Sequence, residues 1–288
     1  MPGGSSSSSD TVFVAPPTGD RETDRSSVLA ALEEVQPGGT ILFAPGTYLI
    51  GGEIIRVTVP QITLLGHPEG TTLRGCDPGE FPWDDLTEFG NNCNAIELAA
   101  GQQTVRSLTF EHAMWALHVG CCWDGAPEMG AFDGGHLIEG NTFRNSSNGV
   151  RVYGFWSEPT VIRNNRFVNN WHSVAIYGNT VHVLDNDIAV PEPEEVQLLG
   201  FPGDAIHIGP PATLHESVRG GMRTCENNVV AGNRIDGTTE GIMVMSDEPD
   251  IPCRNNVIRD NTIAIRRARP AVIPGFIRVH DDTDTTVV

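Results

Sequence analysis

The chain has 288 residues, of which 39% are hydrophobic, and a formal net charge of −19. All 18 basic residues are arginine, which excludes Schiff-base chemistry and any mechanism that needs a lysine base. The acidic excess argues against a nucleic-acid partner, and no apolar run reaches the length that a membrane span needs.

The first elements are a flexible segment and a short helix. Residues 1–10 are rich in serine and predict a flexible leader, followed by one domain over residues 11–288. Apolar residues at helical spacing predict an amphipathic helix over about residues 24–35, with Asp24 as its N-cap. We expect this helix to cover the open end of the strands that begin after Gly38.

Five later segments share one pattern, in which a short apolar strand, an asparagine turn and a second short strand follow one another. The shared asparagines are Asn141, Asn165, Asn186, Asn233 and Asn261. A third, alternating strand follows in each repeat, as in Val150-Arg151-Val152 and Ile206-His207-Ile208. Three strands per repeat of roughly twenty residues predict a solenoid of parallel strands, right-handed by the crossover rule. The asparagines predict an internal amide ladder.

Together these features resemble the pectate-lyase-like superfamily. The cap helix, the stretch from Gly38 to Tyr48 and the Asn-x-Phe coils carry the resemblance, which covers roughly residues 11–280. It implies an all-β, right-handed single-stranded parallel β-helix with a short N-terminal capping helix. The superfamily includes lyases, hydrolases, epimerases, tailspikes and non-catalytic proteins, so the resemblance specifies the fold better than the reaction.

Aligning the third strands predicts columns of outward-facing side chains. The central column is Glu97, His118, Arg151, Ala175, His207 and Met243. A second column, two residues later, includes Tyr153 and Tyr177, and the turn before the strand holds Trp115, Asn148, His172, Asp204 and Glu240. Insertions flank these strands at residues 76–94, 121–135, 191–203, 210–226 and 245–254. We expect them to wall a cleft whose floor is the central column.

Several of these residues are candidates for catalysis. Asp204 and Glu240, one coil apart, form a candidate acid/base pair, and His172 and His207 are candidate proton carriers. The strand from Gly203 to Ile208 resembles the Gly-Asp-Asp-Cys-Ile-Ala-Ile site strand of polygalacturonases, although Ala205 replaces the second aspartate. For Asp204, the alternative is a turn-stabilising role.

Other residues are candidates for substrate binding. Arg151 could bind a carboxylate or act as the base of a β-elimination, or it could pair with Glu97 or remain solvated. Tyr153 and Tyr177 could form a sugar platform or a simple surface stack. His118 and Glu97 complete the predicted substrate-binding set.

The cysteines and acidic clusters suggest crosslinks and a metal. Cys225 and Cys253 precede near-identical stretches, so stacked coils would bring them within disulfide distance. Cys76 and Cys93 bracket one insertion, and we expect three disulfides with Cys121 and Cys122 included, against the alternative of free thiols. Calcium is a candidate cofactor at residues 84–88 or 247–250, where solvated charge is the alternative.

The sequence therefore predicts a secreted, carbohydrate-active protein, leaning towards a hydrolase or lyase of poly- or oligosaccharides. The alternatives are a non-catalytic glycan-binding or structural module and an isomerase or cyclase of a small metabolite. The expected partner is a glycan rather than nucleic acid or membrane, and the protein could be a monomer or a trimer.

Overall fold

The structure is a computed structural model, and it describes residues 10–80, 93–120, 134–154, 156–189, 204–209, 225–237, 240–244, 253–264, 275–279 and 284–288. The described residues form one helix and 26 strands. In chain order these are β1 (Thr11–Val14), α1 (Arg21–Glu34), β2 (Thr40–Phe43), β3 (Gly46–Leu49), β4 (Ile55–Val57), β5 (Thr63–Leu65), β6 (Thr71–Arg74), β7 (Ile96–Leu98), β8 (Thr104–Arg106), β9 (Thr109–Glu111), β10 (Trp115–Val119), β11 (Leu137–Glu139), β12 (Thr142–Arg144), β13 (Asn148–Gly154), β14 (Thr160–Arg163), β15 (Arg166–Val168), β16 (His172–Gly178), β17 (Val181–Leu184), β18 (Asp187–Ala189), β19 (Asp204–Ile208), β20 (Val229–Ala231), β21 (Arg234–Asp236), β22 (Glu240–Val244), β23 (Arg254–Arg259), β24 (Thr262–Ala264), β25 (Gly275–Val279) and β26 (Asp284–Val287).

The strands form three parallel sheets, which run along the sides of a solenoid. The first sheet has the order β1-β2-β5-β8-β11-β14-β17-β20-β23-β26, and the second β3-β6-β9-β12-β15-β18-β21-β24. The third sheet, β4-β7-β10-β13-β16-β19-β22-β25, contains the strands that were predicted to carry the candidate site. Each coil contributes one strand to each sheet, so the predicted parallel β-helix is confirmed.

The core is a continuous apolar column inside the coils. Phe110, Phe143 and Phe167 stack in successive coils with ring centroids 5.0 Å apart in both pairs. No single coil could bury these rings alone, because each strand has only one or two inward positions. The core is therefore buried only when the coils stack, and stacking also fixes the register of the outward positions.

The predicted asparagine ladder is confirmed. The side-chain oxygen of Asn186 accepts hydrogen bonds from the backbone N–H and the side-chain amide of Asn165. In the next coil, the side-chain oxygen of Asn233 accepts the same two kinds of hydrogen bond from Asn186. Asn141 and Asn261 continue the ladder at either end. A second, shorter ladder that we did not predict joins Asn228 to Asn256. The amides satisfy turn backbone groups that would otherwise be buried without partners.

The N-terminal helix is present, but its predicted cap is wrong. The helix begins at Arg21, and the carboxylate of Asp20 accepts the backbone N–H of Thr23 as N-cap. Asp24 is instead buried inside the first turn, where its side chain accepts hydrogen bonds from Thr18 and from the backbone N–H of Leu49. Asp24 thus ties the helix to β3, a tertiary role that local capping preferences do not reveal.

Two disulfides lie in the described residues. Cys225–Cys253 joins adjacent coils with Cα atoms 4.4 Å apart, as the sequence predicted, and Cys76–Cys93 has a Cα separation of 5.1 Å. Cys121 and Cys122, both predicted calcium clusters and residues 1–9 of the leader fall outside the described residues. So do residues 81–92, 121–133, 190–203, 210–224 and 245–252, which make up most of the predicted cleft walls.

Candidate active site on the third sheet

The predicted columns of the third sheet are confirmed by its register. His118 pairs with Glu97 and Arg151, Arg151 with Ala175, Ala175 with His207, and His207 with Met243. Tyr153 lies opposite Tyr177 in the neighbouring column. Parallel strands lie about 4.8 Å apart, so Arg151 and His207 are separated by roughly 10 Å of backbone.

The residues predicted to lie in the turn before the strand belong to the strand itself. Trp115, Asn148, His172, Asp204 and Glu240 are the first residues of their strands. On β19, Ala205 and Ile206 both enter the core, which interrupts the simple alternation of inward and outward positions. Asp204 and His207 consequently lie on the same side of the strand, and Oδ2 of Asp204 is 2.9 Å from Nδ1 of His207.

The site side chains are much more buried than an open cleft floor would be. Asp204 is 5% exposed, and Arg151 and His207 are each 7% exposed. His118, His172, Tyr153 and Tyr177 are also buried. These side chains therefore occupy the predicted outward positions, but they are buried rather than open to solvent.

Three aromatic rings lie close to the Arg151 guanidinium. Its Cζ atom is 4.5 Å from the ring centre of Trp115, 4.7 Å from Tyr153 and 5.3 Å from Tyr177. One terminal nitrogen also donates a hydrogen bond of 2.6 Å to the Tyr153 hydroxyl. The tyrosines are tilted by 41° and covered in this way, so they do not form a flat exposed platform.

Burial keeps the imidazoles of His118 and His172 neutral. Burial lowers the pKa of His172 to about 4, although interactions with Asp204 oppose that shift. Burial, with Arg151 and Arg56 nearby, places the pKa of His118 well below its usual value. Burial also raises the pKa of the Tyr177 hydroxyl, which keeps its proton.

Several buried nitrogens of the site have no hydrogen-bond partner among the described residues. They are Nδ1 of His118, Nε of Arg151, Nδ1 of His172 and Nε2 of His207. A buried polar atom without a partner costs free energy unless a ligand or a bound water satisfies it. The four residues lie on β10, β13, β16 and β19, which are successive strands of the third sheet, so a ligand on that sheet could satisfy some of these nitrogens.

Asp204 fixes the chemistry of His207. A carboxylate beside Nδ1 favours the tautomer in which Nδ1 carries the proton, and Nε2 then presents a lone pair. The ring of His207 is 5.8 Å from Tyr177 and 5.5 Å from His172, measured between centroids. The arrangement provides a proton acceptor, a protonated phenol and a fixed cation on three successive coils.

Two predicted site residues stand apart from this group. Glu97 accepts a 2.8 Å charged hydrogen bond from Arg56 on β4, at the N-terminal end of the column. Glu240 is the register partner of Asp204, but its side chain lies outside the description. Trp115 was predicted only to lie in the turn column, although its aromatic ring contacts Arg151 directly.

No metal site is evident in the described part of the chain, where no group of three or more His, Cys, Asp and Glu residues could hold an ion. Within the same residues, no helix has both the length and the apolar character needed to cross a membrane.

The fold defines a parallel β-helix protein, and the described residues of its third sheet include a cluster of buried polar side chains. The chain belongs to the family described as the right handed beta helix region, whose model matches residues 94–272. No curated protein sequence matches the chain.

Solved structures with similar folds are distant in sequence. A mutant tailspike protein of E. coli bacteriophage HK620 is similar over 95% of this chain and 53% of its own, with a TM-score of 0.50 and 17% identity. Pectate lyase Pel9A matches 94% of this chain and 61% of its own, with a TM-score of 0.43 and 16% identity. An alginate lyase from Paenibacillus sp. str. FPU-7 matches 96% and 99%, with a TM-score of 0.37 and 12% identity. The chain thus spans about half of the tailspike and three fifths of the pectate lyase.

Proposed function

We propose that the protein is a carbohydrate-active enzyme that cleaves an acidic polysaccharide or oligosaccharide by β-elimination. The observation that carries the proposal is the Asp204–His207 contact, which leaves Nε2 of His207 buried and without a partner among the described residues, on the same face as Arg151. Abstraction of a proton from the carbon next to a carboxylate requires a base for that proton and a fixed cation that stabilises the carboxylate.

In the proposed reaction, Arg151 holds the carboxylate of a uronate sugar. Nε2 of His207 takes the proton from the carbon that bears the carboxylate, and the electrons of that C–H bond form a carbon–carbon double bond. The bond from the β-carbon to the glycosidic oxygen breaks, and its electron pair leaves with the oxygen. Tyr177, which burial keeps protonated, is placed to donate a proton to that oxygen. The products are a new chain end and an unsaturated uronate.

The charge distribution agrees with an anionic substrate. The net charge of −19 disfavours anions in general, but Arg56 and Arg151 both lie in the central column of the third sheet. Glu97 pairs with Arg56, whereas the contacts of Arg151 described above are with aromatic rings and a phenol. Arg151 therefore combines a buried positive charge with an Nε that has no partner among the described residues.

A second candidate function is glycoside hydrolysis. It is favoured by the register pairing of Asp204 with Glu240, which places two carboxylic residues one coil apart. Two carboxyl groups about 5 Å apart suit a retaining mechanism, and a wider separation an inverting one. In this alternative, Asp204 and Glu240 share the acid/base roles and His207 orients Asp204.

One screen separates these functions. The protein is incubated with neutral and uronic polysaccharides, with and without calcium, and both reducing ends and unsaturated-uronate absorbance are followed. We expect the two signals to rise together on uronic substrates. Reducing ends without absorbance would favour hydrolysis. If neither signal rises, that result would contradict an enzymatic role and favour a glycan-binding module.

The tailspike, pectate lyase and alginate lyase matches support a glycan as partner only in general terms, since their identities show the fold alone. We also propose that the protein works in an oxidising, extracellular compartment, because two disulfides crosslink the described coils.

A further inference from the structure

Trp115 contacts both the Arg151 guanidinium and a small apolar cluster outside the main core. Its ring is 4.5 Å from Cζ of Arg151 and stacks on His118 with a centroid distance of 5.3 Å. It also belongs to a buried cluster with Ile54, Met114 and the Cys76–Cys93 disulfide. Trp115 therefore links a crosslinked, packed support to the cation of the site.

The three rings around Arg151 come from three successive coils. Trp115 is on β10, Tyr153 on β13 with Arg151, and Tyr177 on β16. Arginine has a long flexible side chain, and a single hydrogen bond to the Tyr153 hydroxyl fixes only one end of its guanidinium. Faces of aromatic rings attract a guanidinium and stack on its plane, and the attraction strengthens where water is excluded. Trp115 has the shortest ring distance of the three.

We propose that Trp115 is a positioning residue that holds the Arg151 guanidinium in place for the substrate carboxylate. The proposal rests on the proposed function for its effect on turnover, but its structural part concerns Arg151 alone. Trp115 does not touch the reacting atoms. It acts by removing the alternative positions that the arginine side chain would otherwise occupy, and the disulfide cluster keeps the ring itself from moving.

The kinetic test compares Trp115→Leu with the wild type on an acidic oligosaccharide. We expect kcat/KM to fall roughly 30-fold, the change that a desolvated cation–π contact represents. Trp115→Tyr, which keeps an aromatic face, should recover most of the loss. In an Arg151→Ala background, Trp115→Leu should cause no further fall in kcat/KM, because the group that it positions is already absent. An additive second fall would show a general structural role and overturn the proposal.

The direct test is the NMR resonance of the Arg151 Nε–H group, identified by its disappearance in Arg151→Ala. Three nearby ring faces should displace this resonance, and Trp115→Leu should move it towards the position of ordinary arginines. Trp156→Phe is the matched control, since Trp156 is equally buried but packs against His136. In that variant, both the Nε–H resonance and kcat/KM should be unchanged from the wild type. If Trp115→Leu misfolds, Trp115→Phe serves for the same measurements, with a smaller displacement expected.

The two proposals fail differently. A wild type without turnover on any glycan contradicts the proposed function, and the NMR displacement then tests the positioning of Arg151 alone. An active wild type whose Trp115→Leu variant keeps full kcat/KM and an unmoved Nε–H resonance overturns the role of Trp115 only.

Discussion

Oδ2 of Asp204 lies 2.9 Å from Nδ1 of His207, three residues later on the same strand. The contact exists because Ala205 and Ile206 both enter the core, which returns His207 to the face that Asp204 occupies. Because a carboxylate beside Nδ1 sets the histidine tautomer, the pair functions as one unit rather than as two independent candidates.

Asp204→Asn should therefore lower the rate of unsaturated-uronate formation by at least about 100-fold, the lower range of general-base contributions. The amide keeps the size of the side chain but removes the charge that holds the Nδ1 proton. The measurement is the initial rate at saturating substrate. Asp236→Asn, on the second sheet, is the control and should keep the wild-type rate; a rate within twofold of wild type for Asp204→Asn would contradict the role of the pair.

Acid should destabilise the protein through its buried histidines. Burial lowers the pKa of His136 to about 4, from an ordinary value of 6.5. The unfolded chain therefore binds more protons between these values, so stability is fully present above about pH 6.5 and is lost as the pH falls towards 4. Such a shift corresponds to roughly 3 kcal/mol for one group.

His136→Phe should remove this part of the acid sensitivity while keeping an aromatic ring beside Trp156. The measurement is the free energy of urea unfolding at pH 7 and pH 4.5, and the difference should be smaller in the variant by up to about 3 kcal/mol. His182→Phe is the control, since His182 is only partly buried and its pKa is lowered by that partial burial. An unchanged pH dependence in His136→Phe would contradict the prediction.

Substitutions in the middle of the asparagine ladder should lower the unfolding free energy more than substitutions at its ends. Asn186 accepts two hydrogen bonds from Asn165 and donates to Asn233 and to the carbonyl of Ile162. Asn186→Ala leaves buried donors of Asn165 without an acceptor, which should cost about 2–4 kcal/mol of unfolding free energy. Asn261→Ala, at the partly exposed end of the ladder, should cost less; equal losses at both positions in chemical denaturation would show that the ladder is not cooperative.

The Cys225–Cys253 disulfide should stabilise the solenoid without affecting the site. It closes a loop with a sequence separation of 28 residues, for which loop entropy predicts about 3–4 kcal/mol. The Cys225→Ser/Cys253→Ser variant should unfold at a lower temperature in calorimetry. Its kcat/KM at a temperature well below unfolding should equal that of the wild type, and a selective loss of activity would instead link this disulfide to the site.

Much of the fold was predictable because its signals repeat. The strand register follows from the alternation in segments such as Val150-Arg151-Val152, and stacking then fixes which residues are neighbours across coils. The ladder was predictable because Asn165 and Asn186 occupy the same position in successive repeats. The helix cap was not predictable, because Asp20 and Asp24 are both plausible caps and the choice depends on contacts of Asp24 with Thr18 and Leu49.

The site was only partly predictable. Register placed Arg151, Tyr153, Tyr177 and His207 on one face, but alternation alone put Asp204 in a turn and gave no reason for it to contact His207. The Trp115–Arg151 contact depends on side-chain conformation across coils, and burial of the columns depends on packing above the sheet. A pattern in the sequence carries neither kind of information.

The most direct test of the account is the rate of unsaturated-uronate formation by His207→Gln, compared with the wild type and with His182→Gln as a control on another sheet. We expect a fall of at least about 100-fold for His207→Gln, with an unchanged unfolding temperature, and a wild-type rate for the control. A His207→Gln variant that retains the wild-type rate would contradict the assignment of His207 as the base.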